Sequence, residues 1–140
     1  MALTTDIWAV TPSFSATLYR AAAAIAGAGD ITLITNQPLD NGAGYQILFT
    51  CAGDATAATF TITGYVAGDL SQSVTTETVA GVDSGTATST NYYSRITSIS
   101  SDAAVATNVS IGNAIADGTA LPRARMKGFY FVGSAGAGSV

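Results

Sequence analysis

The sequence predicts an all-β domain, an antiparallel β-sandwich of Ig-like or jelly-roll-like type with a short helix or an arm at its N-terminus. Three observations predict it. Thr59–Val66 alternates threonine with apolar residues at period two, the pattern of a strand with one buried face. From about residue 31 onward, short β-branched and aromatic runs alternate with turn clusters at the spacing of a sandwich or barrel. Charged residues make up only 10% of the 140 while apolar residues make up 48%, so the polar surface has to come from Thr and Ser. Average soluble domains carry roughly a quarter charged residues, and a charge-poor, Thr-rich surface suits pleated sheets and close-packed assemblies.

The elements follow in order. Residues 1–30 form an N-terminal arm or short helix: within Ser13–Ala26, Phe14, Leu18, Ala22 and Ile25 fall on one helical face that ends at Gly27. The alternative for the same stretch is a β arm of small residues packed on a neighbouring subunit. Residues 31–132 form the sandwich. Tyr45–Thr50 reads as a nearly continuous apolar strand, and Thr59–Val66 turns Phe60, Ile62 and Val66 inward and Thr59, Thr61 and Thr63 outward. Gln72–Val79 is a third strand. A fourth, Thr86–Thr90, is expected to run on through Asn91–Ser100, where Tyr93, Ile96 and Ile99 recur every three residues. That spacing fits a helix or a bulged strand, and the density of Thr and Ser favours the bulged strand. Asn108–Gly112 and Met126–Val132 complete the strands, and residues 133–140 form a Gly-rich tail. Asp30, Asp40, Asp54, Asp69, Asp83 and Asp117 each stand in a Gly-containing turn cluster, where the carboxylate caps local backbone groups.

Composition also excludes function classes. A chain of this length buries one core. The net charge of −4, with five cationic residues, argues against nucleic acid, which demands a surplus of Lys and Arg. Arg123, Arg125 and Lys127 alternate on one strand face, read as a solvated or subunit-facing surface rather than a phosphate site. The lone Cys51, inside Ile47–Ala52, has no internal disulfide partner and reads as a small buried residue. Met1–Trp8 has no basic segment followed by an apolar stretch, and no run approaches about 18 apolar residues. Neither a signal peptide nor a membrane span is expected.

Catalysis near neutral pH usually draws on histidine or tuned carboxylates. This chain has no histidine and one glutamate, Glu77, so Ser-His-Asp, Cys-His and zinc constellations cannot be built. Asp40-Asn-Gly42 reads as a hairpin turn rather than a calcium loop. The Gly-Ala-Gly segments at 27–29, 42–44 and 136–138 lack the Lys-Ser/Thr of a phosphate loop. The expectation is therefore no catalytic, cofactor-binding or metal-binding residue and no cofactor. Two other readings compete: a small hydrolase using Asp and Glu alone, and a glycan-binding module using Trp8, Tyr19, Tyr92 and Tyr93 as stacking platforms.

The stretch Gln46–Tyr65, followed by Gln72–Gly81, Thr86–Thr90, Tyr92-Tyr93, Ile96–Ile99 and Val109–Gly112, resembles small β-sandwich virion proteins of tailed bacteriophages. The shared order is a strand ending in Thr-Gly, a turn, a Thr-Glu-Thr strand, a Gly-rich turn, an aromatic, a Val/Ile-Thr-Ser-Ile run and a closing Val-Ser-Ile-Gly, over about residues 45 to 132. The resemblance implies a capsid decoration (cement) protein, or alternatively a tail, fibre or spike component. It implies a homo-oligomer, a trimer being one such form, bound to the major capsid protein or another virion protein. The implied location is the capsid surface, with the host cytoplasm as the place of assembly.

Overall fold

The computed structural model describes residues 14–35, 44–67, 69 and 71–114. These residues form eight strands and no helix: β1 (Arg20–Ile25), β2 (Gly29–Asp30), β3 (Gln46–Asp54), β4 (Thr59–Val66), β5 (Val74–Ala80), β6 (Asp83–Thr88), β7 (Tyr93–Ser101) and β8 (Val105–Ala114). They make two antiparallel four-stranded sheets, ordered β1-β8-β3-β6 and β2-β7-β4-β5. The fold is the antiparallel β-sandwich the sequence predicts. The connections β3–β4, β5–β6 and β7–β8 pass between the sheets at one end, because Asp54 lies opposite Asp83, Thr59 opposite Ala80 and Phe60 opposite Ser101.

Alternation builds the core. β4 runs over the residues expected of it, with Phe60 and Ile62 buried, Val66 partly buried against the core and the threonines between them only half-covered. From the other sheet come Ile47, Phe49 and Cys51 of β3 and Val109 and Ile111 of β8. The rings of Phe49 and Phe60 stack across the interlayer space, 4.5 Å apart and 6° from parallel. Cys51 is buried with its thiol free, as its apolar surroundings suggested.

β7 explains the three-residue spacing. Thr63 pairs with Ser98 but Gly64 with Ile96, leaving Thr97 as an extra residue; Tyr65 pairs with Arg95 but Val66 with Tyr93, leaving Ser94 as another. Each insertion resets the pleat, so Tyr93, Ile96 and Ile99 all reach the core with no exposure. The bulged strand is therefore present. It does not continue from Thr86–Thr90, however: β6 and β7 belong to different sheets. The break is made by Ser89, whose Oγ accepts from the Ile47 amide at 2.8 Å and donates to the Asn91 carbonyl at 2.8 Å. Those bonds replace ladder partners and let the chain leave its sheet.

Of the two readings of Ser13–Ala26, the helix is not formed among the described residues, and the stretch is extended as the β alternative has it, though paired with this chain's own β8. Arg20–Ile25 is instead an edge strand on β8, in a register broken twice. A helix here would have little to bury, since Ala21, Ala22, Ala23 and Ala24 are all exposed, whereas β8 offers a row of backbone partners. Arg20 repairs the irregular ladder by donating to the carbonyls of Ala23 (2.8 Å), Ala24 (2.8 Å) and Val109 (2.6 Å). Upstream, Ser15 straps the outer face of β8: its amide donates to Asn113 Oδ1 at 2.8 Å and its carbonyl accepts from the Asn113 amide at 3.0 Å. Phe14 rests edge-on against Tyr45, 5.9 Å away. The strand expected at Met126–Val132, the turn at Asp40-Asn-Gly42, the cations Arg123, Arg125 and Lys127, and the tail 133–140 lie outside the described residues.

Candidate functional site

The acids are where chemistry would have to begin, and the fold employs most of them in its own turns. Asp54 Oδ1 accepts from the amide and hydroxyl of Thr56, at 2.9 and 2.7 Å. Asp69 accepts from the hydroxyl and amide of Ser71, at 2.7 and 2.9 Å, and from the Ser73 hydroxyl at 2.9 Å. These bonds, the side-chain ones foremost, hold both carboxyls below the usual carboxylate range. Asp83 takes the Ser84 hydroxyl at 3.0 Å, and Asp102 the Thr59 amide at 2.6 Å, which fastens the β7–β8 corner to the start of β4. Among the described residues no group of three or more His, Cys, Asp or Glu side chains is placed to hold a metal ion.

Glu77 has a role that its sequence context concealed. It sits half-buried in the middle of β5, and its carboxylate accepts from the amides of Thr90 and, at 3.1 Å, Asn91, and from the Tyr93 hydroxyl at 3.3 Å. The carboxylate thus caps the crossover from β6 to β7. Its partners lie 13 to 16 residues downstream, at no spacing that a local motif encodes. Glu77→Gln keeps the shape but replaces one acceptor oxygen by a donor that faces either the Thr90 or the Asn91 N–H, so it is expected to cost about 1–3 kcal/mol. Urea denaturation reads that loss, and hydrogen exchange at Asn91 should quicken with it.

The four aromatics considered for sugar stacking separate. Tyr19 and Tyr93 have no exposure and belong to the core, Tyr92 is half-buried, and Trp8 lies outside the described residues. Burial pushes the Tyr19 phenol up to about 12; burial together with the Glu77 carboxylate pushes Tyr93 up as well. An unfolded tyrosine titrates near 10. The stability these neutral phenols contribute is therefore intact below about pH 10 and falls as pH rises toward about 12. Among the described residues the buried Tyr19 hydroxyl has no hydrogen-bond partner, so Tyr19→Phe should be neutral or stabilising at pH 7. Between about pH 10 and 12 the same variant should lose about 2–3 kcal/mol less stability than the parent, as followed by denaturation midpoints across that range.

One open groove of about 530 Å³ lies between residues 30–35 and the Thr97–Ser98 bulge of β7. Among the described residues in its lining Asp30 is the one carboxylate, and Ile34 stands beside it 70% exposed. A single acid without a second titratable partner does not make an acid–base pair.

The arrangement defines a class, a charge-poor two-sheet β-sandwich whose acids cap turns and crossovers. The chain matches no protein-family model, no curated protein and no solved structure.

Proposed function

We propose that the chain is a non-enzymatic structural protein of a virion, a capsid decoration or cement protein that stabilises the head of a tailed phage. The observation that carries this reading is a pair of edge strands whose exposed residues are uncharged. β1 turns Ala21–Ala24 to solvent, and β5 exposes Val74, Thr76 and Thr78. Edges of this kind invite pairing with other chains unless charge, proline or an assembly covers them, and the chain spends only 10% of its residues on charge. Sister subunits and the shell are the cover. The partner is the major capsid protein or another virion protein, the oligomer is closed, a trimer being one such form, and the location is the capsid surface after assembly in the host cytoplasm. The acids support the same reading, because Asp54, Asp69, Asp102 and Glu77 are engaged in backbone capping.

Light scattering coupled to size exclusion should give an oligomer, and the protein should sediment with phage heads that lack it. A stable monomer that ignores such heads would end the proposal. The alternative, a tail, fibre or spike component that recognises a host glycan, no longer has Tyr19 and Tyr93 available as platforms.

A further inference from the structure

The outer face of the second sheet carries an ordered set of hydroxyls. Three strands contribute in register: Thr78 of β5 lies opposite Thr61 of β4, which lies opposite Ser100 of β7; Thr76, Thr63 and Ser98 form the adjacent row. Strand geometry spaces neighbours roughly 4.8 Å apart across the rows and about 6.7 Å along them. None of these six hydroxyls has a hydrogen-bond partner among the described residues, whereas Thr56, Ser71, Ser73, Ser89, Ser94 and Ser101 all use theirs within the fold. The next row changes character. Val74, 53% exposed, pairs with Tyr65, which pairs with Arg95. The Arg95 guanidinium stands over the Tyr65 ring, 5.8 Å from its centroid, which fixes the ring and sets fixed donors beside it.

We infer that this face is a carbohydrate-binding platform, with Tyr65 and Arg95 as the anchor and the two hydroxyl rows as the surface along which a glycan chain lies. Partner chemistry follows from the groups offered. A protein face closing dry over the rows would strand six hydroxyls away from water, which is unfavourable. Among the described residues of this face, a nucleic acid or a strongly anionic polymer would meet one cation, Arg95, on a chain of net charge −4. A polyhydroxylated ligand can both donate to and accept from each row, while the Arg95 guanidinium and the Tyr65 hydroxyl add polar partners at their end. The inference goes beyond the virion reading and does not rest on it: a sister subunit that covers the β5 edge by backbone pairing leaves this sheet face outward, and binding can be read on the isolated protein.

The full chain is tested on an array of neutral and carboxylated oligosaccharides, and by pull-down on insoluble chitin and cellulose. Binding is expected on at least one of these probes. Tyr65→Ala should weaken it by at least about tenfold, and the double variant Thr61→Val, Thr63→Val, which keeps shape and removes two hydroxyls, should do the same. Tyr92→Ala should leave it unchanged. Circular dichroism and Tm confirm folding, and Thr76→Val on the edge strand serves in place of the double variant if the latter does not fold. Silence on every probe overturns the inference, as does binding that ignores Tyr65 and the threonines. Inhibition of ice recrystallisation by the parent, lost in the threonine variants and unaccompanied by glycan binding, would also overturn it by assigning the rows to ordered water.

Discussion

Phe60→Ala is expected to cost about 3–5 kcal/mol of folding free energy. Phe60 has no exposure, and its ring lies flat on Phe49 of the opposite sheet at 4.5 Å, so it joins the two layers as well as filling volume. The hole left behind cannot collapse readily, because β4 is fixed on one side by β5 and on the other by β7. Urea denaturation should show a lower midpoint with an unchanged slope. Phe60→Leu, which keeps most of the volume, should cost less than about 1.5 kcal/mol. A Phe60→Ala loss below about 1 kcal/mol would mean that the two sheets do not meet at this stack.

Gly112→Ala carries the second large effect, through the backbone rather than the core. A Cβ on residue 112 would lie 1.9 Å from the Ser15 carbonyl oxygen and within 2.6 Å of two Ala16 backbone atoms. Backbone atoms have no rotamer by which to yield, so the strap around Ser15 must lift. Lifting it breaks both Ser15–Asn113 hydrogen bonds and strains the seat of Tyr19, whose amide donates to Ile111 at 2.9 Å. The expected cost is about 1–3 kcal/mol, with protection from hydrogen exchange lost first at Ser15 and Asn113. Gly27→Ala is the control, since a Cβ there meets nothing within 4 Å; it should leave that protection unchanged.

What the sequence made legible was what side-chain alternation encodes. The period-two run Thr59–Val66 became β4 without a change of boundary. The three-residue spacing of Tyr93, Ile96 and Ile99 became a strand with two inserted residues. What stayed hidden depends on partners remote in the chain. The alanine run at 21–24 has strong intrinsic helix propensity, yet the open edge of β8 outweighs it, because backbone pairing with a formed sheet offers more than an isolated helix with no apolar face to bury. The break at Ser89 depends on Ile47, and the role of Glu77 on Thr90 and Asn91. Tyr19 and Tyr93 could equally have been surface rings; only the packing of two layers decided that they are core. For the proposed glycan face, the Thr-x-Thr pattern showed which residues point outward, but the alignment of Thr61 with Thr78 and Ser100 is a matter of register.

The most direct measurement of the central claim is a cryo-EM map of the phage particle that this chain is proposed to decorate. The account requires density for the sandwich repeated over the outer shell, with the edge strands β1 or β5 covered by sister subunits or by the capsid. A shell bare of that density, or the chain free in solution with both edges uncovered, would contradict it.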